Sequence, residues 1–205
     1  MKKTFLLLLA LISLSAFSKS SAAVIYFDVF SSQSITTTTE LNDLQITATL
    51  TQNLNSVDML LLNSSTFTTP VITQIAIDDN AGLLSSQPSI ANNQFSTFFE
   101  ANNTKVSGAN NIAFVTDYGW KAEPPPILNG IGVGEYTLIS FDAITISEIQ
   151  KAIEDDTFRI ALHVQAIGST AQSASLVSVD RPVTPEPSSA FLFSLGMCML
   201  LFRRK

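Results

Sequence analysis

Leu44-Gln45-Ile46-Thr47-Ala48-Thr49-Leu50 alternates apolar and polar side chains with a period of two. That is the pattern of a strand with one face buried and one face wet. Downstream, Val71-Ile72-Thr73-Gln74-Ile75-Ala76-Ile77 is rich in β-branched residues and runs into Asp78-Asp79-Asn80, a turn signal. Phe158-Arg159-Ile160-Ala161-Leu162-His163-Val164-Gln165-Ala166 places Phe, Ile, Leu and Val on one face and Arg, His and Gln on the other. Further strands are expected over 24–30, 56–63, 111–116, 135–144 and 172–179, with Thr, Ser and Asn filling the joints. One helix is expected near 147–155. Ser147 caps it, Glu148 and Glu154 bracket Ile149-Gln150-Lys151-Ala152-Ile153, and Asp155-Asp156 leads out. Short strands separated by turns predict a mainly β fold, an antiparallel two-sheet β-sandwich with one short helix.

Composition removes several classes of function. The 205 residues are 46% hydrophobic and 14% charged, the reverse of a disordered acidic tail. The net charge is −6 and no basic stripe exists, which excludes a nucleic-acid partner. A single cysteine, Cys198, excludes an internal disulfide framework and a cysteine-cluster metal site.

The ends differ from the middle. Met1-Lys2-Lys3 precedes an apolar run from Phe5 to Phe17, and Ser18-Lys19-Ser20-Ser21-Ala22-Ala23 follows. A cationic start, a short apolar core and small residues at the exit predict a secretory signal helix over 1–22. Ser20 and Ala22 suit the −3 and −1 pockets of signal peptidase, so cleavage is expected after Ala22, or after Ala23. A permanent anchor is the competing reading, but the run is short of the ~20 residues of a span.

At the other end, Pro185-Glu186-Pro187-Ser188-Ser189 precedes an apolar run from Ala190 to Phe202 and a basic cluster, Arg203-Arg204-Lys205. With its two serines the run makes a helix of about 22 Å at ~1.5 Å per residue. Snorkelling arginines and local thinning let a helix of that length cross a ~30 Å core. The cations stay cytoplasmic, so the chain before Pro185 lies outside. A buried core helix is the alternative, and it has no reason to stop at a basic cluster.

These last 22 residues resemble the PEP-CTERM sorting signal of Gram-negative bacteria: the Pro185-Glu186-Pro187 motif, the span containing Gly196, and the basic stop occur in that order. The resemblance implies passage through the Sec machinery and recognition by an exosortase. It further implies removal of the tail and delivery to the cell surface or extracellular matrix, usually of polysaccharide-producing bacteria. Three segments follow: a signal peptide over 1–22, an ectodomain over 23–183 and a sorting signal over 184–205. The ectodomain also resembles a recurrent PEP-CTERM ectodomain, in Val71 to Asp78, in Gly130-Ile131-Gly132-Val133-Gly134-Glu135 and in Arg159 to Gln165. Such domains are expected to be β-sandwiches without an assigned molecular function. A Trp-containing stretch often follows the last of these, and here Gly168-Ser169-Thr170 follows instead.

Chemistry-bearing residues are sparse. The ectodomain holds five basic and sixteen acidic residues, a net −11, which repels anionic polymers and invites divalent cations. His163 is the only histidine. No Gly-x-Ser-x-Gly elbow accompanies it, so a solvated or hydrogen-bonded strand residue is expected rather than a catalytic base. Asp78, Asp79 and Asn80 are candidate hard oxygen ligands for Ca²⁺, although the Asp-x-Asp-x-Asp-Gly rhythm is missing and ordinary turn chemistry accounts for them equally. The paired acids there and at Glu154-Asp155-Asp156 suit glycoside hydrolysis only if a fold fixes their separation. Tyr118 and Trp120, before Lys121-Ala122-Glu123-Pro124-Pro125-Pro126, are candidate sugar-stacking residues on an exposed loop. Phe95, Phe98 and Phe99 are expected in the core.

The expected function is an exported, non-enzymatic surface or matrix protein associated with exopolysaccharide. The alternative is a secreted carbohydrate-binding or glycoside hydrolase-like β-sandwich, with Ca²⁺ as its only cofactor candidate.

Overall fold

The computed structural model describes residues 22–33, 43–66, 69–101, 104–168 and 171–179. Residues 1–21 of the predicted signal helix, the Pro185-Glu186-Pro187 motif, the apolar tail and Arg203-Arg204-Lys205 lie outside the described residues; Ala22, the last residue of that prediction, is in a strand. Among the described residues no helix is long and apolar enough to cross a membrane.

Among the described residues there are ten strands: β1 (Ala22–Gln33), β2 (Ile46–Gln52), β3 (Ser56–Asn63), β4 (Val71–Asp78), β5 (Ser89–Ala91), β6 (Phe98–Glu100), β7 (Tyr118–Ala122), β8 (Tyr136–Asp142), β9 (Arg159–Ile167) and β10 (Gln172–Val179). They form one hydrogen-bonded antiparallel sheet in the order β5-β8-β3-β2-β1-β10-β9-β4-β7-β6. The fold is therefore mainly β, and its hydrogen bonding is continuous rather than split into two sheets. The sheet nonetheless folds back on itself. Phe141 of β8 meets Phe158, just before β9, edge to face at 6.3 Å, although those strands are five places apart in the sheet. Ile72 of β4 exchanges backbone bonds with Ile131, just ahead of β8. One apolar cluster takes residues from both halves, including Leu50, Met59, Ile75, Trp120, Ile139 and Leu162.

The alternation around Leu44 is seen in β2, where Ile46, Ala48 and Leu50 point inward. Their partners Met59 and Leu61 on β3, and Ile139 and Phe141 on β8, continue the same face. Strands β4 and β9 are different, since both of their faces are buried at their centres. Ile75, Ile77, Ile160 and Leu162 face the main core. Ala76 and Ala161, directly opposed, face a second, smaller apolar cluster with Val106, Ala109 and Phe114. Those three come from the connection between β6 and β7, which packs over the outer face of the sheet. The predicted strand over 111–116 is part of this connection. It forms a 3₁₀ turn at Ala109–Ile112 and irregular chain beyond, because its apolar residues cover a sheet instead of joining one. Close approach needs Gly108, whose φ is 77° and where a Cβ would meet the Ser31 side chain of β1 at 2.5 Å.

Helix α1 is a single turn, Pro126–Asn129. Helix α2, Ile146–Glu154, is the predicted helix shifted by one residue. Its cap is Thr145, not Ser147. Thr145 Oγ1 accepts from Glu148 N, and the Glu148 carboxylate accepts from Thr145 N at 2.8 Å, a reciprocal capping box. The hydrogen bond to Thr145 holds the Glu148 carboxyl below its ordinary range. Ile149, Ala152 and Ile153 turn inward against the core.

Candidate functional site

The bend after β4 places Asp78 and Asp79 in the positions where the sequence suggested a metal, and it uses them differently. Asp78 is buried, and its carboxylate accepts from the Arg159 guanidinium and from Val115 N at 3.2 Å. Arg159 lies opposite Asp78 in the β4–β9 register. It also donates to the carbonyls of Ile112 at 2.7 Å and Ala113 at 2.9 Å, and its guanidinium lies 5.4 Å from the Phe114 ring centroid. One side chain thus pins the β6–β7 connection to the sheet. Its ionic partner is 4% exposed on the side chain, and Arg159 itself 13%.

Asp79 points away from this pair. Its two oxygens accept from Leu83 N at 2.9 Å and Leu84 N at 2.8 Å, closing the turn. Asp117 accepts from Asp79 N at 2.7 Å. Together with exposed Asn80 these residues line an open cleft of ≈ 350 Å³. Asp78 and Asp79 are thus already engaged by a guanidinium and by main-chain amides. Among the described residues no three His, Cys, Asp or Glu side chains come together as a metal-ligand set. The acids after α2 are divided too: Asp155 pairs with Lys151 at 3.0 Å, and Asp156 lies 3.9 Å from Arg159 Nε.

His163 is buried rather than solvated, because the face it shares with Arg159 is covered. Its Nδ1 lies 3.3 Å from Ser175 Oγ across β10, and its Nε2 faces the Gln165 amide at 3.5 Å. Burial lowers its pKa below the ordinary histidine value, favouring the neutral ring. A serine and a histidine therefore do meet, but Ser175 is 1% exposed, and an amide occupies the place where a triad has a carboxylate.

Tyr118 and Trp120 do not lie on an exposed loop. They belong to β7, and Trp120 is fully enclosed, so it presents no face to a ligand. The sequence hid this because Gly119 and the prolines that follow read as loop chemistry, while β7 is only five residues long. Tyr118 donates to Leu84 O at 3.3 Å. Burial first, then Asp79 and Asp117, raises its phenol above the usual value. Of the three phenylalanines, Phe98 enters the core, whereas Phe95 and Phe99 are nearly half exposed.

An open groove of ≈ 680 Å³ is bordered by Tyr26, Asp28, Leu44, Thr47, Ser64 and Leu176. No protein-family model, no curated protein and no solved structure matches this chain.

Proposed function

We propose that this chain is an exported, exosortase-processed protein of the cell surface or extracellular matrix, with a non-enzymatic ectodomain that associates with exopolysaccharide. The ectodomain is read as a β-sandwich made by folding one sheet over itself, which the Phe141–Phe158 contact and the shared core support. The observation that carries the reading is the spacing between fold and address segments. Strand β1 starts at Ala22, and Ala23 is the first buried residue, opposite Leu50 of β2. The last described strand ends at Val179, six residues before Pro185. Cleavage after Ala22 and removal of the tail at the Pro185-Glu186-Pro187 motif would both leave the core whole. A signal peptidase and an exosortase would act as the processing partners.

A non-enzymatic ectodomain is supported by the state of its polar groups. The only histidine is buried, which favours its neutral ring, and Asp78 and Asp79 hold structure together. Mass spectrometry of surface material from the native host tests the reading. The expected mature chain starts at Ala23 or Val24 and lacks Arg203-Arg204-Lys205. A surface form still carrying Lys205 overturns it.

A further inference from the structure

The two bonds expected to be cut by a signal peptidase do not lie in a linker ahead of the fold. Ala22 and Ala23 open β1, and the strand is paired from its first residue. Ala22 lies opposite Thr51 of β2, Ala23 opposite Leu50, Val24 opposite Thr49 and Ile25 opposite Ala48. Burial holds that register. Ala23 is 8% exposed and Ile25 4%, and both point inward beside Leu50 and Ala48, which are fully buried. Ala22 and Val24 face outward, as the period of a strand requires. Nor is β1 an edge: it lies between β2 and β10, and its pairing with β10 includes Tyr26 opposite Val179. Each candidate bond is therefore bordered by Ala23, a core residue whose main chain is part of a sheet. A peptidase takes its substrate as an extended segment in its own cleft. The main chain of Ala22 to Val24 cannot occupy that cleft and the β2 ladder at once.

We propose that the signal segment is cut before β1 docks on β2, and that docking closes the site, so a chain that folds uncut keeps residues 1–22. The proposal rests on the exported, processed reading above and sets the order of its steps. The cut is an amide hydrolysis. Water adds across the Ala22–Ala23 bond, Ala22 leaves with a carboxylate, and Ala23 keeps the nitrogen as an ammonium. Ala23 then stays in β1 and still covers Leu50, so an early cut costs the core nothing. The other end is under no such constraint from the described strands, since Asp180 to Thr184 separate β10 from Pro185. Strand β1 begins at the end of the sheet where β10 finishes. A chain folded too early would thus carry both of its apolar segments at one end of the sheet.

The test uses the full chain, purified uncut from a cytosol and folded in detergent micelles, with a bacterial signal peptidase and a synthetic peptide of residues 1–33 as comparator. Mass spectrometry times and locates the cut, and circular dichroism records the strand content of each chain. The peptide is expected to be cut after Ala22 or Ala23. The folded chain should be cut more than about tenfold more slowly, because cleavage then tracks the fraction with β1 open. Leu50→Ala removes the side chain opposite Ala23 and leaves the peptidase's own recognition residues untouched. It should be cut faster than the parent if it stays folded, and at the peptide's rate if it does not. A folded parent cut as fast as the peptide overturns the proposal and leaves the signal reading standing. Resistance that Leu50→Ala does not relieve also overturns it, since the micelle and not the strand would then be the shield. A peptide that the peptidase leaves whole overturns the signal reading itself, and the proposed order with it.

Discussion

Strands β2, β3 and β8 have one dry face, whereas β4 and β9 have two. On the first group the inward row of Ala48, Leu50, Met59, Leu61, Ile139 and Phe141 backs an outward row of Thr47, Thr49, Leu60 and Ser140 that meets solvent at least partly. On the second group the outward row of Ala76, Asp78, Ala161 and His163 is buried as well, and the β6–β7 connection covers Ala76, Asp78 and Ala161. An outer face covered by a loop cannot leave its polar groups to water. Small alanines admit the loop, an ion pair satisfies the one charged pair, and Ser175 partners the histidine. The comparison gives Asp78 and Arg159 the part of holding a second layer to the sheet.

The largest effect expected from breaking that arrangement is at Arg159. Arg159→Ala leaves the Asp78 carboxylate buried without its cation and frees the carbonyls of Ile112 and Ala113. Removing one partner of a buried pair costs about 3–5 kcal/mol. Urea denaturation should show that loss, whereas Lys151→Ala, at an exposed pair, should change stability by less than ~0.5 kcal/mol. Equal effects of the two substitutions would mean that the pin carries no special load.

A smaller effect is expected from volume. Ala161→Leu forces a larger side chain between Ala76 and Phe114, an overpacking that costs about 1–3 kcal/mol. Thr49→Leu on the outward face of β2 should stay within about 0.5 kcal/mol. A thermal melt of both variants decides whether the second layer is packed as tightly as the first. Smaller again is the cap. Thr145→Ala removes one half of the capping box and should cost about 1 kcal/mol, while Ser147→Ala should cost almost nothing. The reverse ranking would restore Ser147 as the cap.

The same contrast explains what the sequence made legible. Period-two alternation located β2 and β9, and a β-branched run located β4, since burial imprints itself directly on residue choice. The second layer leaves a fainter imprint. Ala161 looks like an ordinary outward residue until a connection from far upstream covers it. Arg159 stood on the predicted polar face, yet nothing near it announced Asp78, Ile112 or Ala113 as partners, because those contacts are set by strand register and a long connection. Residues 111–116 misled for the mirror reason: an apolar run that covers a sheet resembles one that joins it. Trp120 was misplaced because three-to-five-residue strands are too short to display a period. The exposed Phe95 and Phe99 were equally unreadable, since only the Asn93 turn and the shift from Phe98 to Phe99 separate a core ring from a displayed one.

The smallest predicted effect is also the most specific to the covered face. Burial lowers the pKa of His163 in the folded chain, so the fold favours the neutral ring. The unfolded chain takes up a proton near pH ~6.5, while the folded chain resists it until a lower pH. Below ~6.5 the unfolded state therefore binds more protons, and stability rises with pH. The contribution is present in full above ~6.5 and is lost as pH falls towards the folded value. The denaturation midpoint should drop between pH 7 and pH 5, a window above the ordinary range of exposed carboxylates. His163→Gln keeps a polar group near Ser175 and cannot titrate, so its midpoint should stay nearly level across that window. If the variant and the parent chain follow the same pH curve, His163 is wet, and the outer face of β9 is open at that position.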